Sequence, residues 1–375
     1  MGYFARAATR LLARVLVGAL LAALMAACGA APTARETTLS DCNNGLPRRC
    51  GEVGRWYEEG NGVPLDTGKA LAMYEKACAA DEPVACGRLG RMLMEGMSGR
   101  RDLPRAAQLL SGACKGGHLA SCTLAAILLE SGRGVARDGP QAAKFYGAAC
   151  NDGDARACAN LGTMYLEGSV VERDESRALG LFARACDADW GPGCSSLGLM
   201  YEKGRGVELS WTRAVTYYTK ACTLGAGSGC LFMAFACEKG LGIEANATRA
   251  AGYYVQACEK GLGLACQYAG LVYEQGRGVT ADRQRAFELF DFGCGLEYAP
   301  ACFAIAEYYE QGYAKPADRA DSYFDRACSA GHAIACVRYG ESLNRGPKAD
   351  PARAKSLFAR ACALGDKLGC AALSK

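Results

Sequence analysis

The chain has 375 residues, half of them hydrophobic, and a formal net charge of +4. That is enough apolar material for several domains or one long array, and no run of five or six like charges marks a nucleic-acid surface. Twenty-two cysteines against two histidines exceed cytosolic usage and point to an oxidising compartment or to metal.

Residues 1–27 carry Arg6, Arg10 and Arg14, no acid, and an apolar stretch from Val15 to Ala27. This pattern predicts a secretory signal peptide, shorter than a confident membrane-spanning helix. It ends in "ALMAACGA", small residues directly before Cys28, which resembles the lipobox of bacterial lipoproteins, with Met25 where leucine is commoner. That resemblance implies acylation of Cys28 as the first residue of the mature chain, and Gly29 after it implies sorting to the outer membrane. A plain secreted protein or a mitochondrial-type presequence also tolerates arginine without acids. Removing the three arginines leaves the remainder close to neutral, so a charged lipid surface is not an obvious partner. Residues 28–41 are expected to form the lipidated N-terminus and a flexible tether, and 42–375 the folded array.

From Cys42 onward the chain repeats. First cysteines fall at Cys42, Cys78, Cys114, Cys150, Cys186, Cys222, Cys258 and Cys294 at steps of 36, then at Cys328 and Cys362 at steps of 34. A second cysteine follows each after eight positions. A fixed period of this size means a solenoid whose units bury apolar faces against their neighbours. Eight residues before each first cysteine from Cys78 on stands alanine, from Ala70 to Ala354, and four before it a large apolar residue such as Tyr74, Phe182 or Phe358. Spacings of four put these on one helical face. Twelve before stands an N-cap type (Asp66, Asp102, Asp138, Asp174, Ser210, Asn246, Asp282, Asp350), broken only by Pro316. A second helix is predicted after each second cysteine. It has a small residue at +4, such as Gly54, Gly162 or Ala306, and ends at a glycine, from Gly60 to Gly346. The fold class is therefore all-α, in antiparallel helix pairs.

On one continuous helix, cysteines eight apart would lie about 12 Å apart at 1.5 Å per residue, and a disulfide spans at most about 7 Å between Cα atoms. The chain must turn between them, and "AADEPVA", "KGGHLAS" and "NDGDARA" supply the breakers. The expected bridges are Cys42–Cys50, Cys78–Cys86, Cys114–Cys122, Cys150–Cys158, Cys186–Cys194, Cys222–Cys230, Cys258–Cys266, Cys294–Cys302, Cys328–Cys336 and Cys362–Cys370. Structural zinc wants shorter chelates, often with histidine. His118 and His332 are repeat-equivalent turn residues, not a cluster, so no metal site is expected. Cys237 replaces a tyrosine of other repeats and is expected to be a free, buried core thiol; a reactive thiol is the sharper alternative.

Segments such as "LGTMYLEGSVVERDESRALGLFARACDADW" resemble Sel1-like repeats, relatives of the tetratricopeptide fold, and the cysteine pairs resemble the Helicobacter cysteine-rich protein subfamily. The resemblance implies a right-handed superhelix of nine to ten repeats with a concave groove, and a role in protein interaction. It also admits a β-lactamase-like or penicillin-binding enzyme, as some subfamily members have been described. The residues lend that little: there is no S-x-x-K, S-D-N, K-T-G or G-x-S-x-G, and two histidines do not make a zinc β-lactamase site. No catalytic residue, cofactor or nucleic-acid partner is expected. Asn246-Ala-Thr248 matches a glycosylation sequon but reads more simply as a cap.

Framework positions repeat; binding positions vary. The variable positions +1, +2 and +5 after each second cysteine are polar or small early on, as at Gly51, Glu52 and Arg55. From the sixth repeat they become Leu231, Phe232, Phe235, Tyr268, Leu271 and Phe303. These six are either partner-binding residues in the groove or packing against the next repeat. The expected function is a lipid-anchored scaffold facing the periplasm, binding protein or peptide; a secreted or surface-displayed protein is the alternative location.

Overall fold

In the computed structural model the described residues are 34–316, 319–345 and 349–373. The predicted signal peptide, Cys28 and Gly346 lie outside them. The described residues form twenty α-helices and no strand. In chain order these are α1 (Ala34–Asn43), α2 (Pro47–Glu59), α3 (Thr67–Cys78), α4 (Pro83–Glu95), α5 (Leu103–Lys115), α6 (Ala120–Ser131), α7 (Gly139–Asn151), α8 (Ala155–Glu167), α9 (Glu175–Asp187) and α10 (Gly191–Lys203). They continue as α11 (Trp211–Thr223), α12 (Gly227–Lys239), α13 (Ala247–Glu259), α14 (Gly263–Gln275), α15 (Arg283–Gly295), α16 (Ala299–Glu310), α17 (Arg319–Ser329), α18 (Ala333–Arg345), α19 (Pro351–Ala363) and α20 (Lys367–Leu373). The described residues divide into two compact units, before and after the boundary at residues 138 and 139, and each is a stack of antiparallel helix pairs.

The odd-numbered helices carry the repeating face. Ala70, Tyr74 and Ala77 in α3, or Ala178, Phe182 and Cys186 in α9, are at most 1% exposed, as positions one turn apart on one face should be. Seven of the expected caps accept the N–H three residues on, from Asp66 to Lys69 at 2.8 Å through Asp350 to Arg353 at 2.9 Å. Each satisfies a donor that the first turn leaves without a helical partner.

The small residue of each even-numbered helix receives the large one of the following odd helix. A Cβ on Gly54 would stand 2.8 Å from the Tyr74 ring, on Gly162 2.9 Å from Phe182, on Gly198 2.6 Å from Tyr218 and on Gly270 2.3 Å from Phe290. The ring fills the space a side chain would need, and this lets backbones approach. The loop sequences "GRG" and "GLG" hold a second such contact. Gly278, at φ +72°, would place a Cβ 2.3 Å from the Ala247 carbonyl carbon, whereas the helix itself ends at Gly276.

All ten cysteine pairs are bonded, with Cα atoms 4.5 to 4.8 Å apart. The turn between them is a Schellman motif: His332 N–H donates to Ala327 C=O at 2.9 Å and Gly331 N–H to Cys328 C=O at 3.0 Å. The residue three after each first cysteine takes positive φ, whether glycine, as at Gly331 (93°), or Asp81, Asp189 and Glu297 at 55–60°. The next residue closes the motif and starts the following helix. Ten disulfides suit an oxidising, extracytoplasmic environment. Cys237 is buried and is the one unpaired cysteine among the described residues.

One expectation is corrected. Residues 34–41, assigned to a flexible tether, lie in helix α1, which ends at Asn43 just past the buried Cys42. Arg35 on α1 sits 5.5 Å from the Trp56 ring centre and donates to Asn61 at 3.0 Å. No helix among the described residues is long and apolar enough to cross a membrane.

Candidate functional site

Within each unit successive even-numbered helices pack against one another, as α4 does on α6, α8 on α10, α10 on α12 and α14 on α16. Their variable positions therefore line up as one strip over an invariant frame. The residue that starts each even helix, four after a first cysteine, borders the same strip. Glu82, Asp154, His332 and Asp366 there cap the following helix by accepting its N–H groups at 2.6 to 3.2 Å.

In the first unit the strip is charged on α2 and α4 and turns apolar on α6, at Leu124 and Ile127. A cleft of about 470 Å³ is lined by Arg48, Glu52, Arg55, Tyr74, Glu82 and Arg88, among others. Beside it Glu58, its side chain 10% exposed, accepts from Tyr74 Oη at 2.5 Å and Arg88 Nη1 at 2.8 Å, and pairs with Arg91. Burial alone would raise the Glu58 carboxyl, but the Tyr74 hydroxyl and the two guanidiniums outweigh it and hold the group below its usual range. His118 borders a smaller cleft of about 220 Å³ with Arg88 and Arg91. Its Nδ1 lies 2.8 Å from Ser121 Oγ, and burial, then the field of Arg88, pushes its pKa down.

In the second unit the strip is small and polar on α8 and α10, at Asn160, Thr163, Ser195 and Ser196, and aromatic from α12 to α16. Leu231 is only 6% exposed and packs in the core of α11–α14. The other five are half-buried. Phe232 stacks on Tyr218 with centres 4.7 Å apart; Phe235 meets Tyr254 and Tyr268 edge-on at 5.6 and 5.1 Å. Leu271 and Phe303 border a cleft of about 290 Å³ with Gln267, Glu274, Glu307, Tyr308 and His332. Phe303 stacks on His332 at 4.5 Å. Each thus packs against its neighbours with one face and leaves the other on the strip.

The sequence reading missed the glutamate eight positions after the second cysteine, at Glu58, Glu130, Glu202, Glu238, Glu274 and Glu310. It serves buried tyrosines: Tyr218 donates to Glu202 at 2.7 Å, Tyr254 to Glu238 at 2.9 Å and Tyr308 to Glu274 at 2.9 Å. Burial, then the bonded carboxylate, pushes these phenols far above their ordinary range. Recurrence at a fixed offset was the available signal. The two histidines fall in different units, each in a helix-starting turn, and the described residues hold no group of three His, Cys, Asp or Glu able to bind a metal ion.

The Sel1 repeat family model matches nine segments: 50–82, 83–118, 119–154, 155–190, 192–225, 227–262, 263–294, 299–332 and 333–366. Among solved structures the chain is similar to a protective antigen of uropathogenic Escherichia coli with an SLR fold, at 24% identity and TM-score 0.60, over 90% of this chain and 73% of that one. A Sel1 repeat protein from Oxalobacter formigenes aligns at 21% identity and TM-score 0.51 over 64% of this chain and 96% of its own. Cysteine rich protein B of Helicobacter pylori aligns at 28% identity and TM-score 0.30, over 36% of this chain and 97% of that one. The first two likenesses show the fold, and no catalytic family is indicated. No curated protein sequence matches.

Proposed function

This chain belongs to the Sel1 repeat family, and on that premise we propose that it is an extracytoplasmic scaffold that binds a protein or peptide along the strip of its even-numbered helices. The observation that carries this is the contrast between frame and strip. The alanine, the large apolar residue and the cysteine pair recur in register, while the strip changes from Arg55, Arg88 and Arg91 to Phe232, Tyr268 and Phe303. A solenoid held by its frame is free to vary the strip, and half-buried aromatics and arginines are the residue types that anchor interfaces.

The lipobox-like sequence supports acylation at Cys28 and anchoring to the outer membrane, with the array facing the periplasm. Metabolic labelling with an alkyne fatty acid tests this: incorporation is expected in the wild-type chain and absent in Cys28→Ala. Equal labelling of both contradicts it.

The scaffold reading is tested by capturing envelope proteins on the oxidised chain and on a Tyr268→Ala, Phe303→Ala variant. The expected result is a specific partner lost in a variant that keeps its helical circular dichroism and its disulfides. Undiminished capture by the variant would move the binding surface off the strip.

A further inference from the structure

The cleft between α14, α16 and the start of α18 carries more acceptors than donors. Its lining holds Glu274 and Glu307 and no lysine or arginine. Gln267 Oε1 is buried without a hydrogen-bond partner among the described residues, and a buried acceptor left unmade costs free energy. Glu274 takes one bond, from Tyr308 Oη at 2.9 Å, and a carboxylate has room for several more. Neither carboxylate has an ion-pair partner among the described residues. The cations whose field reaches the cleft are engaged elsewhere: Arg338 pairs with Glu310, and Arg283 lies over the Tyr313 ring at 5.6 Å. His332 has its Nδ1 taken by the Ala335 N–H at 3.2 Å, and burial pushes its pKa down, disfavouring a positive charge there.

The rest of the wall is apolar: Leu271, Phe290, Pro300 and Phe303. At about 290 Å³ the cleft sits at the lower limit of small-ligand pockets, roughly 300–1,000 Å³, and suits one long side chain. The frame does not require this composition. The equivalent cleft bordered by His118 has arginine at 88 and 91 and no acid.

We propose that this cleft seats an organic cation on an apolar stem, the lysine or arginine side chain of a bound peptide. An ammonium brings three donors and no acceptor, a guanidinium five, which answers Gln267 Oε1 and both carboxylates at once. The aliphatic stem lies along Leu271 and Pro300, and the rings of Phe303 and Tyr308 offer π-faces to the charge. Burial raises the Glu307 carboxyl, Arg338 opposes this, and Glu310 and Glu274 add to it; a cation relieves the same repulsion. The inference rests on the scaffold reading and specifies what part of its ligand enters here.

The test uses the oxidised full chain and four probes: acetylated, amidated pentapeptides of alanine with a central lysine, norleucine or glutamate, and free cadaverine. Binding is followed by the Tyr and Phe ring resonances. The lysine peptide is expected to bind at least tenfold more tightly than the norleucine and glutamate peptides, and more tightly than cadaverine. Glu307→Gln is expected to remove about tenfold from the lysine peptide alone, and added salt to weaken it alone. Equal binding of lysine and norleucine peptides, both weakened by Phe303→Ala, would overturn the cation assignment and leave the scaffold reading standing. Cadaverine binding as tightly as the lysine peptide would overturn assignment to a peptide side chain. Binding of no probe would overturn the inference at this cleft, while the scaffold reading stands or falls on its capture experiment.

Discussion

The two units use the same frame and present different strips. In the first, Glu58 gathers Tyr74, Arg88 and Arg91 beside an arginine-lined cleft. In the second, Phe232, Phe235, Tyr268 and Phe303 interleave with Tyr218, Tyr254 and His332. Beneath both, a glycine in an even helix receives a ring from the next odd helix, at Gly54 under Tyr74 and at Gly270 under Phe290. A feature shared by both units serves the fold, and one that differs between them is free to serve recognition. Tyr74 and Tyr254 show the overlap, since each is framework by position yet ties its hydroxyl to a glutamate near the strip.

The largest expected effect tests the sameness of the frame. Gly54→Val and Gly270→Val each push a side chain into a ring, and overpacking of this kind costs about 1–3 kcal/mol or more. Thermal denaturation should show losses of similar size in both, the second somewhat larger because its ring stands closer (2.3 against 2.8 Å). Tolerance at one and unfolding at the other would break the equivalence of the units.

The next tests their difference. Phe235→Ala removes an aromatic packed against two tyrosines and is expected to cost about 2 kcal/mol, less than the 3–5 of a fully buried ring. Arg55→Ala, at an exposed position of the first strip, is expected to stay within about 0.5 kcal/mol. Denaturant titration distinguishes them, and equal losses would show that the charged strip is also framework.

A smaller effect lies at the reversal. Glu297 holds φ at 60° where Gly331 and Gly261 stand in other repeats, a conformation that costs a side-chain-bearing residue about 1–2 kcal/mol. Glu297→Gly is expected to stabilise the chain by somewhat less, about 1 kcal/mol, because glycine also loses more freedom on folding. A lower melting temperature would contradict this.

The smallest effect has opposite signs in the two units. Glu58 titrates below its usual range in the fold, so its contribution is present above the unfolded carboxyl value, near 4.3, and is lost as pH falls through the folded one. Glu307 titrates above its usual range. Its contribution is present below the unfolded value and is lost as pH rises through the folded one, so at neutral pH the charged group is a cost. Each is expected to be worth under about 1 kcal/mol after solvent screening. Segment-resolved hydrogen exchange between about pH 6 and pH 3 should show α2–α4 losing protection, against a smaller loss or a gain at α14–α16. Glu58→Gln should flatten the first response and Glu307→Gln the second.

Most of the frame was legible because it repeats. The alanine at −8, the large residue at −4, the caps and the cysteine spacing each recur often enough to define a face, and the bridges follow from the distance a helix would impose. The reversal was only half legible. Asp81, Asp189 and Glu297 obscure the glycine at the position that turns the chain, and the Schellman bonds show only in three dimensions. The clefts were less legible still. Gln267, Glu274, Phe303 and His332 come from three successive repeats, so what they form depends on one neighbourhood and not on the period. Leu231 stayed open between groove and packing for the same reason: an angular estimate from one helix does not say how closely its neighbour sits.

The central claim is that the frame holds the fold and the strip of the even-numbered helices reads a partner. It is tested most directly by hydrogen exchange of the oxidised chain with and without its captured partner. Protection concentrated in even-numbered helices, with the odd-numbered ones unchanged, is the predicted result. Protection confined to the odd-numbered helices would place the partner on the opposite side of the array and contradict the account.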